Sequence, residues 1–226
     1  MRKLLFILAP LTLLFGSCGP DRVPEGEVEY VITYPNLEIS GFMRAILPET
    51  MTISFKGSKM KTTIASGEIF STEIISDEKD KSIEMRLDFG DKLYYSILDE
   101  NDIKDMIASQ PVYTITPLNV QDSVAGMYAT SYAISCENDT VKRSDAWFTE
   151  DLAPVQAYWF SAYASLTGFP LIYDVERYGV LMHLEAQKLT KREVKPSEFE
   201  RDPVLKEVSF KQYEAEVQEL FDTLID

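Results

Sequence analysis

Short runs in which apolar and polar residues alternate make up much of the sequence. The clearest run is residues 27–34, where one side of the chain carries Val28, Tyr30, Ile32 and Tyr34. Such alternation is typical of a half-buried strand. Further runs bounded by turn residues predict strands at 50–56, 60–66, 68–76, 82–89, 92–98, 127–136, 140–149, 169–176 and 180–189. Strands at this spacing indicate an antiparallel meander.

Two stretches of this pattern allow more specific predictions of strands and connections. Residues 111–118 are predicted to be extended, with a connection at 119–125. Residues 127–136 and 140–149 form the clearest predicted hairpin, around a loop at 137–139.

Four other segments have helical patterns. Residues 41–47 fit one or two helical turns, and Asp99 is placed to cap a short helix over 99–109. A proline opens the aromatic-rich segment 154–166, which predicts a helix that plugs the sheet. Residues 209–224 begin with a serine and glutamine spaced as a capping box and continue with apolar residues at helical spacing. We therefore predict an α+β fold: one curved antiparallel sheet with two or three helices on its concave face and a C-terminal amphipathic helix.

The N-terminus has the pattern of an export signal. Basic residues precede an apolar run over 4–15, and Gly16-Ser17-Cys18 follows. The run is too short to cross about 30 Å of hydrocarbon, so it favours a signal peptide over a membrane anchor. The cysteine after two small residues resembles a bacterial lipobox, which implies cleavage before Cys18 and acylation of its thiol. An ordinary secreted protein cleaved nearby is the alternative.

These features divide the chain into three predicted parts. They are a lipoprotein signal peptide at 1–17, a flexible tether at 18–26 with two prolines, and a single β-rich domain at 27–226. Gly19 stands where inner-membrane lipoproteins of the enterobacterial pattern carry Asp. We therefore expect a lipid anchor in the outer membrane, with the domain facing the periplasm or the cell surface.

The net charge and the cysteine content limit the classes of molecule that the protein is expected to bind and the way it attaches to a membrane. The net charge is −15, which disfavours binding to nucleic acid and to anionic lipid surfaces. Membrane attachment must therefore come from lipid on Cys18, since several acyl chains anchor a protein stably. Cys136 is the only other cysteine, so no internal disulfide remains once Cys18 is acylated.

Motifs in the second half of the chain resemble those of exported Gram-negative proteins of the GLPGLI type. The matching segments are residues 124–126 before the 127–136 strand, residues 145–152 (DAWFTEDL) and residues 168–172 (GFPLI), which lacks the second glycine. The resemblance implies a half-barrel similar to LolA and LolB, in which helices cover a curved sheet and leave an apolar groove. A possible lipid ligand, such as a lipoprotein acyl chain, follows from that resemblance.

Sequence patterns for catalysis and for metal or cofactor binding are sparse. His183 is the only histidine, and its position in a predicted strand favours a structural role. The acidic cluster in residues 99–105 has no EF-hand spacing and fits a solvated helix start better than a calcium site. Two Ser-x-x-Lys spacings, at residues 58–61 and 76–79, fall at predicted turns, where a lysine is not desolvated. We predict no catalytic residue, no metal and no cofactor. A hydrolase remains open only if folding assembles a polar cluster.

Three tripeptides of the form Asp-(Ser/Thr)-apolar resemble a bacterial O-glycosylation acceptor. They place candidate acceptors at Ser123, Thr140 and Thr223, with Thr140 the best placed because it lies next to a predicted loop.

Aromatic residues and methionines suggest a ligand groove. The candidate groove residues are Tyr30, Tyr34, Met43, Trp147, Trp159, Phe160 and Tyr163, with Met51 and Met60 as further contributors. The same residues would also serve as a filled core between sheet and helices. These two interpretations lead to two functional hypotheses. An open groove indicates a membrane-tethered, non-catalytic protein that binds an apolar ligand, and a filled core indicates an envelope interaction module that binds a partner protein.

Overall fold

One large sheet dominates the structure, a computed structural model that describes residues 22–37, 47–67, 69–136 and 143–225. The strands are β1 (Glu25–Thr33), β2 (Thr50–Lys56), β3 (Lys59–Ser66), β4 (Phe70–Asp77), β5 (Ser82–Phe89), β6 (Lys92–Ile97), β7 (Tyr113–Val124), β8 (Met127–Cys136), β9 (Ala146–Thr149), β10 (Phe169–Arg177), β11 (Val180–Thr190) and β12 (Lys206–Glu207). The described residues also form helices α1 (Glu100–Ala108) and α2 (Phe210–Ile225) and a 3₁₀ turn at Pro196–Phe199.

The strand order shows how the sheet is built. It runs β12-β6-β5-β4-β3-β2-β1-β11-β10-β9-β8-β7, so β1 joins the N-terminal meander to the C-terminal strands. Neighbouring strands are antiparallel except for β12, which pairs with β6 in parallel. The sheet is not closed, and β7 and β12 are its edges.

The sheet is strongly curved, as contacts made by α2 show. Six strand spacings separate β5 from β10, which is about 29 Å in a flat sheet. Nevertheless, the hydroxyl of Tyr213 donates to the carbonyl of Arg86 on β5 at 3.1 Å, while the adjacent Glu214 accepts from Arg177 on β10 at 2.7 Å. One turn of α2 therefore bridges two strands that the curvature brings together.

The α+β prediction is wrong. Strands account for about half of the described residues, the sheet is mixed, and the described part of the chain contains only two short α-helices, so the fold is largely β. The main error lies in residues 154–166, which form consecutive turns instead of a helix. The predicted helix at 41–47 lies outside the described residues except for Leu47, which is not helical.

Local hydrogen bonds explain why residues 154–166 are not helical. Their backbone bonds join residues three apart, as in Ser161 N–H to the Tyr158 carbonyl at 3.0 Å. The side chain of Ser161 also competes for backbone groups, since its hydroxyl donates to Tyr158 and accepts from the N–H of Tyr163. Aromatic residues have low helix propensity. Here the rings of Tyr158 and Tyr163 pack against Tyr173 and Phe148 of the sheet.

Two strand predictions also need correction. The predicted connection at 119–125 is strand through Val124, so β7 and β8 form a long hairpin. Within the described part of the predicted hairpin partner, residues 143–149, only β9 is a strand, and it pairs with β8 through Thr130, Ser131 and Tyr132.

The two helix starts agree with the sequence. Asp99 caps α1 by accepting from the N–H groups of Asn101 and Asp102 at 2.7 and 2.9 Å. The hydroxyl of Ser209 accepts from the N–H of Gln212 at 3.2 Å at the start of α2. Both caps satisfy N–H groups that have no partner within the helix.

The two faces of the sheet differ in chemistry. On the concave face, β1 buries Val28, Tyr30 and Ile32 to 3% exposure or less. On the convex face, the buried guanidinium of Arg86 pairs with carboxylates and donates to carbonyls of the 199–200 segment. That segment belongs to the connection from β11 to β12, which leads the chain to α2.

Candidate functional site

A cavity lies inside the curve of the sheet. Its volume is about 760 Å³, and its walls come from β2 to β5, β10, β11, α1, α2 and the turns at 158–163. This volume falls within the roughly 300–1,000 Å³ of small-molecule sites. Strands from both halves of the sheet contribute, so the cavity depends on the curvature described above.

Apolar side chains form most of the inner surface. Ile64, Ile74 and Val175 line the cavity and are only partly buried, so apolar surface remains uncovered there. Four methionines, Met51, Met85, Met106 and Met182, also line it. Methionine side chains are flexible and polarisable, which suits a surface that adapts to ligand shape.

Tyrosines from the 154–166 turns and from β10 form a polar seam in this apolar wall. The hydroxyls of Tyr158 and Tyr173 lie 2.5 Å apart. Burial raises the pKa of Tyr158 to about 12, so this hydroxyl stays protonated at neutral pH. Tyr163 donates from its hydroxyl to the carbonyl of Asp174 at 2.9 Å and accepts from the N–H of the same residue.

The role of Tyr163 follows from the ends of the strands. β9 pairs with β10 only from Phe169 to Ile172, so Asp174 lies beyond the end of β9. The hydroxyl of Tyr163 thus satisfies a backbone N–H and a carbonyl that have no strand partner on that side. This bond fixes the turn segment against the sheet.

A charged cluster lies where the β10–β11 turn meets α2. One carboxylate oxygen of Glu214 accepts from Arg177 at 2.7 Å and from the Tyr178 hydroxyl at 2.9 Å. The ring of Tyr178 stacks on Phe221 with centroids 5.1 Å apart. Arg177 and Glu214 are 27% and 29% exposed, and Gly179 in the turn is exposed, so this end of the cavity opens to solvent. We call Arg177, Tyr178, Glu214 and Phe221 the mouth cluster.

The structure brings together only some of the predicted groove residues. Phe160 and Tyr163 line the cavity, as does Met51. Tyr30 and Tyr34 are buried on the concave side, where their hydroxyls donate to the carbonyls of Pro170 and Pro48 at 2.6 and 2.7 Å. They do not line the cavity.

The other predicted groove residues lie elsewhere. Trp147 and Trp159 are half-buried outside the cavity lining, and the Nζ of Lys81 lies 4.7 Å from the ring centroid of Trp159. Met60 is a core residue that is 1% exposed, and Met43 lies outside the described residues.

Sequence reasoning missed the mouth cluster and most of the cavity wall. The alternation of β3 and β4 indicated which of their side chains share a face. It gave no sign that β5 and β10 come together, which is what joins these faces into one cavity.

His183 is partly exposed and pairs with the buried Asp174 on the opposite face of β10 and β11. Its Nδ1 lies 2.7 Å from Oδ1 of Asp174, whose other oxygen accepts from the N–H of Ser144 at 2.8 Å. The hydrogen bond that His183 donates to Asp174 raises the pKa of His183, although burial acts in the opposite direction. The pair ties the segment before β9 to β10, which fits the structural role predicted for this histidine.

The remaining predicted sites are described in part. Ser123 is exposed near the end of β7, and Thr223 lies in the last turns of α2. Cys18 and Thr140 lie outside the described residues, so lipidation and glycosylation stay predictions. Within the described ranges, no three His, Cys, Asp or Glu residues are arranged to hold a metal ion. None of the described helices is both long enough and apolar enough to cross a membrane.

Comparison with known proteins gives a fold likeness. No family model matches the chain, and no curated protein matches it. Among solved structures the chain is similar to PNGF-II, with a TM-score of 0.52 and 11% identity over 86% of this chain and 33% of that one. The chain thus spans about a third of the length of PNGF-II, and at this identity the likeness concerns the fold alone.

A second solved structure is less similar. MucB, in complex with MucA(peri), has a TM-score of 0.41 and 14% identity over 83% of this chain and 58% of that one. This similarity is too low to support a functional argument. The resemblance to GLPGLI-type proteins therefore stays a prediction from sequence.

Proposed function

We propose that this protein is a membrane-tethered, non-catalytic envelope protein that binds the apolar chain of a lipid in its cavity. The observation that carries the proposal is the cavity of about 760 Å³ with uncovered apolar side chains. Apolar surface facing water is unfavourable by roughly 25 cal/mol per Å². A hydrocarbon chain that displaces this water would therefore bind favourably.

The chemistry of the wall supports binding more than catalysis. Three of the tyrosine hydroxyls in the wall are engaged with one another or with the backbone: Tyr158 bonds Tyr173, and Tyr163 bonds the carbonyl of Asp174. His183, a residue type common in catalysis, bonds Asp174 and is not among the cavity-lining residues. The wall thus offers flexible apolar side chains and few free polar groups.

The predicted anchor supplies the biological setting. Acylation of Cys18 would hold the domain beside a bilayer, which is the source of apolar ligands in the envelope. β1 begins at Glu25, so only a few residues lie between the predicted acylated cysteine and the sheet.

The test is a titration of the chain from residue 19 onward with the neutral fluorescent probe N-phenyl-1-naphthylamine. All of the described strands and helices lie within this chain. Saturable binding at one probe per chain is expected. Thr72→Phe should weaken it because Thr72 lines the cavity, whereas Thr63→Phe, on the adjacent strand outside the lining, should not.

Two outcomes would overturn the proposal. One is the absence of probe binding to the folded wild-type chain. The other is equal loss of binding in the two threonine variants, which would place the probe outside the cavity. Circular dichroism of both variants checks that they keep the β-sheet fold.

A second candidate function rests on the β7 edge. This strand is 12 residues long, and its side chains are mostly exposed, including Leu118 at 39% and Val120 at 50%. An open edge of this kind accepts an added strand from a partner protein. If the cavity proves to bind no ligand, an envelope partner at this edge becomes the better account.

A further inference from the structure

The charges at the mouth of the cavity constrain the ligand that the proposed function requires. Arg177 is the only lysine, arginine or histidine among the described lining residues. Its Nη2 donates to Glu214 at 2.7 Å, and Tyr178 donates to the same carboxylate. The one cation at the cavity is thus already paired with an anion.

The acidic groups next to this pair in the sequence have partners elsewhere. Asp174 and Glu176 belong to the same strand as Arg177, but their carboxylates bond His183, on the opposite face of the sheet, and Arg143. On α2, Glu216 bonds Lys92 at 2.6 Å and is not among the lining residues. The net charge of the chain is −15. At the mouth, a ligand with a negative end would therefore meet the carboxylate of Glu214 and, among the described lining residues, no unpaired cation.

Resting on the proposed function, we infer that the cavity selects acyl chains whose polar end is uncharged, such as esterified chains, and discriminates against free fatty-acid anions. An ester or hydroxyl end needs no counter-ion, and water at the half-exposed mouth can solvate it. A carboxylate would have to displace Glu214 from Arg177 or remain beside it as a second negative charge. The esterified chains of membrane lipids and lipoproteins have the favoured chemistry.

The experiment is displacement of bound N-phenyl-1-naphthylamine by three ligands with the same twelve-carbon chain. They are laurate, methyl laurate and dodecanol, at about pH 8, where a carboxylic acid is fully ionised. The ester and the alcohol should displace the probe at a roughly tenfold lower concentration than laurate, since one lost charge interaction is worth about that factor. The chain hydrophobicity is shared, so the difference reports on the polar end.

Two variants test the role of the mouth cluster. Glu214→Gln removes the competing carboxylate and leaves Arg177 unpaired, so laurate should gain roughly tenfold while methyl laurate changes little. Glu216→Gln is the matched control, because it removes a glutamate of the same helix that bonds Lys92 instead. It should change neither ligand selectively.

The outcomes separate the inference from the proposed function. Failure of all three ligands and of the probe to bind overturns the proposed function. Probe displacement by laurate at the same or lower concentration than the ester leaves the proposed function intact and overturns the inference. The absence of a gain for laurate in Glu214→Gln also overturns it.

Discussion

Substitution of Arg86 by alanine should destabilise the fold more than any loss of a surface ion pair. The side chain of Arg86 is only 7% exposed and pairs with Glu73 at 3.0 Å and Glu84 at 2.8 Å. It also donates to the carbonyls of Phe199 and Glu200 at 2.8 and 3.0 Å. Arg86→Ala therefore removes one charge and four hydrogen bonds from the convex face.

The magnitude depends on what remains after the substitution. Removing one partner of a buried ion pair costs about 3–5 kcal/mol, because the other charge stays without compensation. Here Glu73 keeps Lys61 at 3.1 Å and Glu84 keeps Arg201 at 2.6 Å, so neither carboxylate is left alone. We therefore expect the lower end of that range, about 3 kcal/mol.

Urea unfolding followed by circular dichroism measures this loss. Lys188→Ala is the control, since its pair with Glu29 is exposed at 62% and 44% and should leave the midpoint unchanged. Arg86→Lys should recover little stability because an ammonium cannot reproduce the guanidinium fork. If Arg86→Ala shifts the midpoint no more than Lys188→Ala does, the convex network does not hold the connection to α2.

Three further predictions follow from single contacts. Tyr163→Phe should lose about 2 kcal/mol in urea unfolding, because it leaves the N–H and carbonyl of Asp174 without their hydroxyl partner; an unchanged midpoint would refute this role. The raised pKa of His183 predicts that its pair with Asp174 stabilises the fold fully below the unfolded value near 6.5 and less as pH rises through the folded-state pKa. The stability difference between wild type and His183→Gln should therefore shrink from acidic to basic pH, and a constant difference would contradict the assignment. Gly168→Ala should cost about 2 kcal/mol or more, since φ is +102° and a Cβ would lie 2.5 Å from the Thr149 carbonyl oxygen; a wild-type midpoint would show that the turn relaxes.

Strands with one buried face could be predicted because their pattern is local. β1 is the clearest case: Val28, Tyr30 and Ile32 recur at period two, and all are buried on the concave side. Asp99 and Ser209 could likewise be identified as helix caps, since a cap depends on residues within one turn.

The helix prediction for residues 154–166 failed because it relied on composition and on Pro154 alone. The observed turns also depend on a distant group, the side chain of Gln110, which donates to the carbonyl of Phe160 and accepts from the N–H of Ala162. The cavity could not be predicted from the sequence for the same reason. It exists because curvature brings β5 and β10 within reach of one turn of α2. No local pattern in the sequence encodes the approach of these two strands.

The mouth cluster shows most clearly which features could not be predicted from the sequence. Arg177 and Tyr178 lie at the turn of a hairpin that has no unusual sequence, and Glu214 is one of several acidic residues on α2. Only the docking of α2 across the curved sheet joins them. Their contribution to ligand choice could therefore be inferred only from the fold.

Lipid content of the purified protein tests the central claim most directly. The chain from residue 19 onward would be exported without its acylated cysteine, purified without detergent, and analysed by native mass spectrometry with organic extraction. The expected result is a lipid released at one per chain on denaturation, with lower occupancy in Thr72→Phe than in Thr63→Phe. A folded protein with a ligand-free mass, unchanged after incubation with lipid vesicles, would contradict it.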